Sequence, residues 1–304
     1  AAIDVTGDPY PDETHKICLN SDAVLFGAVG DPKYDNDPTA KIRPEEGLLR
    51  MRKKLGLYAN IRPTYTFDSL LEKSPIKKSI IQGTDLVFVR ELTGGIYFGK
   101  RGRNKTDDYA YDTCEYNVNE IKRLAKIGFE LAMKRSKKLC CIDKANVLET
   151  SRLWRQTVQS LEKNYPEVNV SYEFVDAVAM RLIHSPSYYD VLITSNLFGD
   201  ILTDEASVIS GSMGLMPSAS VGVETSIYEP IHGSFPQAKG KNIANPLATI
   251  LSASMMFERS FHLNEESKLI RDLVNESISN NIVTKDLSGD GKPFTTTEVG
   301  DWIV

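Results

Sequence analysis

Short apolar runs alternate along this chain with longer stretches of helical periodicity. The runs at 23–29, 85–89, 139–142 and 191–194 are rich in Val, Ile and Leu and have the length of strands. Between them, 119–134, 151–163 and 265–279 space their apolar residues three and four apart, the pattern of helices with one buried face. This alternation predicts an α/β fold with largely parallel sheets. The segment 100–116 breaks the rhythm: it is polar, rich in Tyr and Asp, and without helical spacing. It reads as a mobile loop or as an arm that packs on another subunit. Internal repeats, low-complexity tracts and Gly/Ser linkers are absent from the sequence.

Composition narrows the classes. With 304 residues, 41% hydrophobic and 25% charged, the chain is long enough for two domain-sized cores. A net charge of −5 argues against nucleic acid as a partner, since a polyanion binder carries a basic face. An acidic substrate would then need a local cluster of arginines. Cys18, Cys114, Cys140 and Cys141 show no CxxC spacing and read as free thiols of a reducing compartment, so cytoplasm is the expected location. No apolar run approaches the roughly 18 residues that cross a bilayer, so no membrane partner is expected.

Several familiar motifs fail on inspection. Gly94–Lys100 follows most of the phosphate-loop pattern, but Arg101 stands where Ser or Thr would hold magnesium. DLSGDG, beginning at Asp286, imitates a calcium loop but places Thr297 where a bidentate Glu is needed. No GxGxxG follows a strand, so a Rossmann dinucleotide site is not expected. What remains is the segment SNLFGDILTDEAS from Ser195. Asp200 and Asp204 are four apart, so on a helix both carboxylates project from one face, where they repel unless a cation lies between them. The alternative is a solvated acidic face. The preceding strand favours the cation, because α/β proteins build sites at the carboxyl ends of strands, and oxygen donors suit magnesium or manganese. Arg43, Arg50, Arg52, Arg62, Arg90 and Arg101 crowd the first third of the sequence. Arg90, ending an apolar strand, calls for an anion; Arg43, Arg50 and Arg101 read more simply as partners of nearby carboxylates.

Taken in order, GLLRMRKKLGLYANIRP, VRELTGGIYFG, DKANVLE, VDAVAM, SNLFGDILTDEAS and EPIHGS resemble the 3-isopropylmalate dehydrogenases, over nearly the whole sequence. These belong with isocitrate, homoisocitrate and tartrate dehydrogenases among the β-decarboxylating dehydrogenases. The resemblance implies two open α/β domains of that type: 1–57 with 211–304 on the cofactor side, and 58–210 for dimerisation and metal, with an arm around 100–116. It implies a homodimer whose active sites draw on both subunits. It also implies that Arg52, Arg62 and Arg90 bind substrate carboxylates, with Asn146 nearby, and that Leu48 meets an isopropyl group. By the same resemblance Tyr97 is the catalytic acid and Lys144 the general base, given to the partner's site. Asp176, Asp200 and Asp204 become ligands of Mg2+ or Mn2+, with Asp176 reaching across the interface. Gly30, Glu45, Glu229, His232, Gly233, Ser234, Gln237 and Asn245 fall in the segments that bind NAD.

The implied reaction is oxidative decarboxylation of 3-isopropylmalate to 4-methyl-2-oxopentanoate with reduction of NAD, in leucine biosynthesis. Tartrate, another alkylmalate or isocitrate are the alternative substrates, and a non-catalytic regulatory subunit is the alternative role. Leu48 and Leu49 offer an apolar pocket where isocitrate would want polar groups, and the retained Asp176, Asp200, Asp204 and Lys144 set argues for a catalyst. The sequence departs from the family pattern in three places. It begins at the AAIDVTG segment, without the family's opening strand and Gly-rich turn, so an incomplete cofactor-side wall is expected. Asp31 replaces a usual Gly. Gln237 replaces the Asp that NAD-specific members direct at a ribose hydroxyl, yet Ala238 gives no NADP-type Lys-Tyr pair, so NAD is retained as the expected cofactor.

Overall fold

A computed structural model describes residues 2–35 and 42–304. The chain divides into two compact units: Ala1–Leu57, Thr66–Lys78 and Ser207–Val304 form the first, and Tyr58–Tyr65 with Ser79–Ala206 the second. Thr66–Lys78 therefore groups with the first unit rather than with the stretch around it.

In the second unit the strands run in the order Ala59–Tyr65, Asp85–Glu91, Val191–Thr194, Lys138–Asp143, Asn169–Phe174. The last four are mutually parallel, and Ala59–Tyr65 pairs antiparallel with Asp85–Glu91. Val191–Thr194 is buried along its whole length, and so is Leu139–Ile142 within its strand. Parallel strands covered on both faces need such unbroken apolar runs, which is why they stand out in the sequence. The helix Val118–Lys134 opens with a capping box between Asn117 and Glu120 and buries Ile121, Leu124, Ala125, Phe129 and Ala132. Gly128 lies on that buried face: a Cβ there would come within 2.3 Å of Ile193 Cγ2. Gly128→Ala should therefore lower stability by about 2 kcal/mol, despite alanine's better helix propensity, and the melting temperature by about 5 °C. A melting temperature at or above wild type would show that the helix can lift off the strand at no cost.

The first unit pairs Ala23–Leu25 parallel with Ser226–Pro230, which runs antiparallel to Pro217–Val221. Tyr10, Cys18, Met51, Leu55, Leu57 and Ile227 form one of its cores, with Val24, Phe26 and Leu48 packed against it. The apolar run 23–29 is a strand only through Leu25. Its continuation keeps one ladder bond, Phe26 N–H to Tyr228 O at 2.8 Å, and then turns through Gly30 at φ +124°. The segment 100–116 is neither wholly loop nor helix: Arg101–Arg103 and Ala110–Asp112 pair as an antiparallel hairpin with exposed Tyr109 and Tyr111. Among the described residues no helix is long and apolar enough to cross a membrane.

Candidate active site

The carboxyl ends of the parallel strands in the second unit carry most of the expected chemistry. Arg90 lies near the end of Asp85–Glu91, Lys144 follows Lys138–Asp143, Asp176 opens the helix after Asn169–Phe174, and the helix Asn196–Ser210 follows Val191–Thr194. Geometry thus delivers to one sheet edge residues scattered over more than a hundred positions, as open α/β sheets do.

Arg90 is buried and its guanidinium is held on several sides. Nη1 meets the Asp200 carboxylate, Nη2 donates to Asn196 Oδ1 at 2.9 Å, and Nε donates to the Asn196 carbonyl at 3.0 Å. Tyr97 stands on the 3-10 turn Gly95–Tyr97, and its hydroxyl donates to the other Asp200 oxygen at 2.6 Å. Burial, then the Asp200 carboxylate, pushes the phenol up to about 12, so it keeps its proton throughout the neutral range. Arg62 is buried too: it donates to Asn60 Oδ1 and to Thr203 Oγ1, and lies 3.7 Å from Asp204 Oδ1. Asp204's carboxyl is raised by burial and by the negative charge of Asp200, against the opposing pull of Arg62. Arg62, Arg90, Tyr97, Asp200 and Asp204 are therefore one connected cluster.

Lys144 and Asp176 form a separate ion pair, and the lysine's hydrogen bond holds the Asp176 carboxyl below its ordinary value. Neither Asp143 nor Glu149, its acidic neighbours in the sequence, takes Lys144. Asp143 is buried against the Arg155 fork (2.8 and 3.0 Å), and Glu149 pairs with Arg152. Asn146 is exposed in the turn after Lys144. Among the described residues of one chain, no group of three acidic, His or Cys side chains is arranged to hold a metal ion. Asp200 and Asp204 nonetheless fit a hard cation as two of its oxygen donors: they share a helix face, and their like charges oppose each other's ionisation.

In the first unit the helix Pro44–Lys54 carries Glu45, Leu48 and Arg52 at spacings of three and four. Arg52 pairs with Glu229 Oε1 at 2.9 Å, both buried, and its Nε–H is buried without a hydrogen-bond partner. A carboxylate thus meets Arg52 inside its own unit. Gly30, Glu45 and Ser234 also come together: Ser234 Oγ donates to Gly30 O at 2.7 Å, and a Cβ on Gly30 would lie 3.0 Å from that Oγ and 3.4 Å from Glu45 Oε1. His232, Gly233 and Asn245 line a cavity of about 640 Å³ together with Phe235, Ile243 and Asp286. Gln237, exposed on the turn Pro236–Ala238, is not among the residues lining it.

Two residues of these sites went unread in the sequence. Asp286 Oδ2 accepts from Asn245 Nδ2 at 3.0 Å and from Ser212 Oγ at 2.9 Å, so it ties the cavity wall together. Its only signal was the false calcium-loop pattern. Asn196 has no role assigned to it in the sequence reading, yet it binds Arg90 through two oxygens. An Asn at the first position of a helix that carries the acidic pair was the available clue.

The model of the isocitrate/isopropylmalate dehydrogenase family matches residues 1–303. The chain is 58% identical over 304 residues to a 3-isopropylmalate dehydrogenase of Bacteroides fragilis, covering 100% of this chain and 85% of that one. It is 51% identical over 293 residues to a 3-isopropylmalate dehydrogenase of Aquifex aeolicus, covering 95% and 80%. Among solved structures, the isocitrate dehydrogenase of Methylococcus capsulatus superposes with a TM-score of 0.89 at 30% identity, covering 99% and 86%. The β-decarboxylating dehydrogenase of Thermococcus kodakarensis gives 0.80 at 32% identity, covering 99% and 82%.

Proposed function

Because the chain belongs to the isocitrate/isopropylmalate dehydrogenase family, we propose that it oxidises and decarboxylates 3-isopropylmalate to 4-methyl-2-oxopentanoate, with NAD as hydride acceptor and Mg2+ or Mn2+ as the metal. The observation that carries this reading is likeness over the whole of this chain, at 58% identity, to a 3-isopropylmalate dehydrogenase, with the Arg62, Arg90, Tyr97, Asp200, Asp204 cluster in place. Asp200 and Asp204 would hold the metal, with Asp176 of a second copy as the third carboxylate. Bound there, a divalent cation supplies Lewis-acid stabilisation of negative charge on the substrate's C2 oxygen. A nicotinamide cofactor, held by the first unit, would supply the acceptor for the C2 hydride.

The chain's own residues do the rest. Arg62 and Arg90 bind and orient carboxylates, Arg90 with a guanidinium already fixed by Asn196. Arg52 keeps the substrate role that the resemblance gives it, with Glu229 holding its guanidinium. Lys144 of the partner takes the C2 hydroxyl proton. When the bond to the carboxylate β to the new ketone breaks and carbon dioxide leaves, Tyr97 gives its proton to the carbon left behind. In the first unit, the cavity lined by His232, Gly233 and Asn245 would take the cofactor's adenosine end.

A homodimer follows from the same reading and has support in the second unit. Asp176 and Met180 are four apart on one helix, and Met180 is 67% exposed. Val147, close after Lys144, is 61% exposed, and Ile201, next to Asp200, is 59% exposed. An apolar surface interspersed with Lys144 and Asp176 suits a second copy of the chain.

The test is turnover with 3-isopropylmalate, NAD and Mg2+ or Mn2+, against isocitrate, tartrate and malate. Higher kcat/KM for isocitrate or tartrate would replace the substrate and leave the reaction class standing; no nicotinamide reduction with any of them, in folded protein, would leave the regulatory role. Leu48 refines the test. Burying an isopropyl group stabilises by roughly 2 kcal/mol, so Leu48→Ser should lower kcat/KM for 3-isopropylmalate by about thirtyfold and change that for malate little. Leu48 also packs on a core cluster of the first unit, and equal losses with both substrates would give it that structural role alone.

A further inference from the structure

We infer that Asn196 is a positioning residue for Arg90: with Asp200 on Nη1, the Asn196 amide and carbonyl hold Nη2 and Nε and so fix the direction in which the guanidinium faces a substrate carboxylate. The inference rests on the reading of Arg90 as a carboxylate binder. Asn196 is 1% exposed and opens the Asn196–Ser210 helix. Its Oδ1 accepts from Arg90 Nη2 at 2.9 Å and Nε at 3.2 Å, while its carbonyl accepts from Nε at 3.0 Å. Its Nδ2 donates to Gly94 O at 3.2 Å, so the two ends of the amide have different partners and the flip is determined.

The clamp is itself anchored. The Asn196 backbone N–H donates to the Tyr116 hydroxyl at 3.0 Å, and the Tyr116 ring meets Trp154 edge to face at 5.5 Å. Gly94 and Gly95 pass directly against that ring: a Cβ on either would come within 2.8 or 2.3 Å of Tyr116 atoms. One turn beyond Asn196, Gly199 has no side chain because the Arg90 stem lies there; a Cβ would sit 2.6 Å from Arg90 Cγ. Tyr116, Asn196 and Gly199 therefore fix where Arg90 starts, runs and ends. Asp200 already sets one carboxylate against this guanidinium; a second at position 196 would hold it equally well but cancel its remaining charge, whereas an amide orients without adding to that.

A fixed cation that binds the substrate's ground and transition states alike affects KM and not kcat. Asn196→Ala should raise KM for 3-isopropylmalate by about tenfold and leave kcat within about twofold. Asn196→Asp should raise KM further, because the new carboxylate competes with the substrate's. A second readout needs no substrate. Restrained rotation about the Arg90 Cζ–Nε bond should give two separate Nη signals by 15N NMR, assigned by their loss in Arg90→Lys; Asn196→Ala, which frees Nη2 while Asp200 keeps Nη1, should speed exchange between them and Asn196→Asp keep them apart. If Asn196→Ala does not fold, Asn196→Asp still carries the test, through separate signals with a raised KM. An exchange rate between the Nη signals unchanged in folded Asn196→Ala, an unchanged KM in either variant, or a fall in kcat at constant KM would overturn the assignment. If the wild type fails to turn over 3-isopropylmalate while the signals behave as expected, the clamp stands and the substrate reading falls.

Discussion

Asp200→Asn is expected to lower kcat by about a thousandfold in the presence of saturating Mg2+ or Mn2+, and to abolish the dependence of the residual rate on metal. The size follows from what the carboxylate is asked to do: Lewis-acid stabilisation is worth several kcal/mol, and each 1.4 kcal/mol or so is a factor of about ten. Asparagine has nearly the same shape and can still accept from Tyr97, whose hydroxyl lies 2.6 Å from Asp200 Oδ2. Arg90 keeps its bonds to Asn196, so the loss should appear in turnover rather than in folding. Circular dichroism and a melting curve within a few degrees of wild type would establish that. Near-normal turnover with unchanged magnesium dependence would remove the acidic pair from the metal site. Asp204→Asn makes a useful comparison, because Asp204 faces Arg62 at 3.7 Å and feels Arg90 only more weakly.

How much of this was legible depends on the range over which each feature is decided. The buried parallel strands announce themselves because burial on two faces forces an unbroken apolar run, as at Val191–Thr194. The run from Ala23 misled for the same reason: Phe26 is apolar because it packs on a core cluster, not because the ladder continues. The Arg101–Arg103 and Ala110–Asp112 hairpin was hidden, since its residues are mostly exposed and show no alternation of apolar and polar positions. Asp200 and Asp204 could be placed on one face by counting, whereas the pairing of Arg52 with Glu229 spans 177 positions and no local rule reaches it. The same holds for Lys144, whose neighbours in sequence offered two carboxylates and whose partner in space is a third. Sequence pattern thus located the chemistry on the strand ends, and the tertiary fold decided which charges meet.

Mixing two inactive chains should restore activity if Lys144 acts on the partner's site. In a Lys144→Ala chain the Asp200–Asp204 pair is intact, and in an Asp200→Asn chain the lysine is intact. A heterodimer then holds one site with the first chain's Asp200 and the second chain's Lys144, both competent, and one site lacking both. Heterodimers purified through two different tags should therefore show about half of the wild-type activity, as two-fold symmetry requires. Were Lys144 to serve the Asp200 of its own chain, each site would lack one group and the heterodimer would be as inactive as either parent. The substitutions suit this use. Lys144 is bound to an exposed Asp176, so removing it leaves no buried charge behind, and Asp200→Asn preserves shape. Val147 follows Lys144 closely, Met180 lies one turn beyond Asp176, and both are exposed, so the homodimer proposed above would use apolar side chains next to the groups it has to share. Verified heterodimers without any recovery of turnover would confine Lys144 to its own chain.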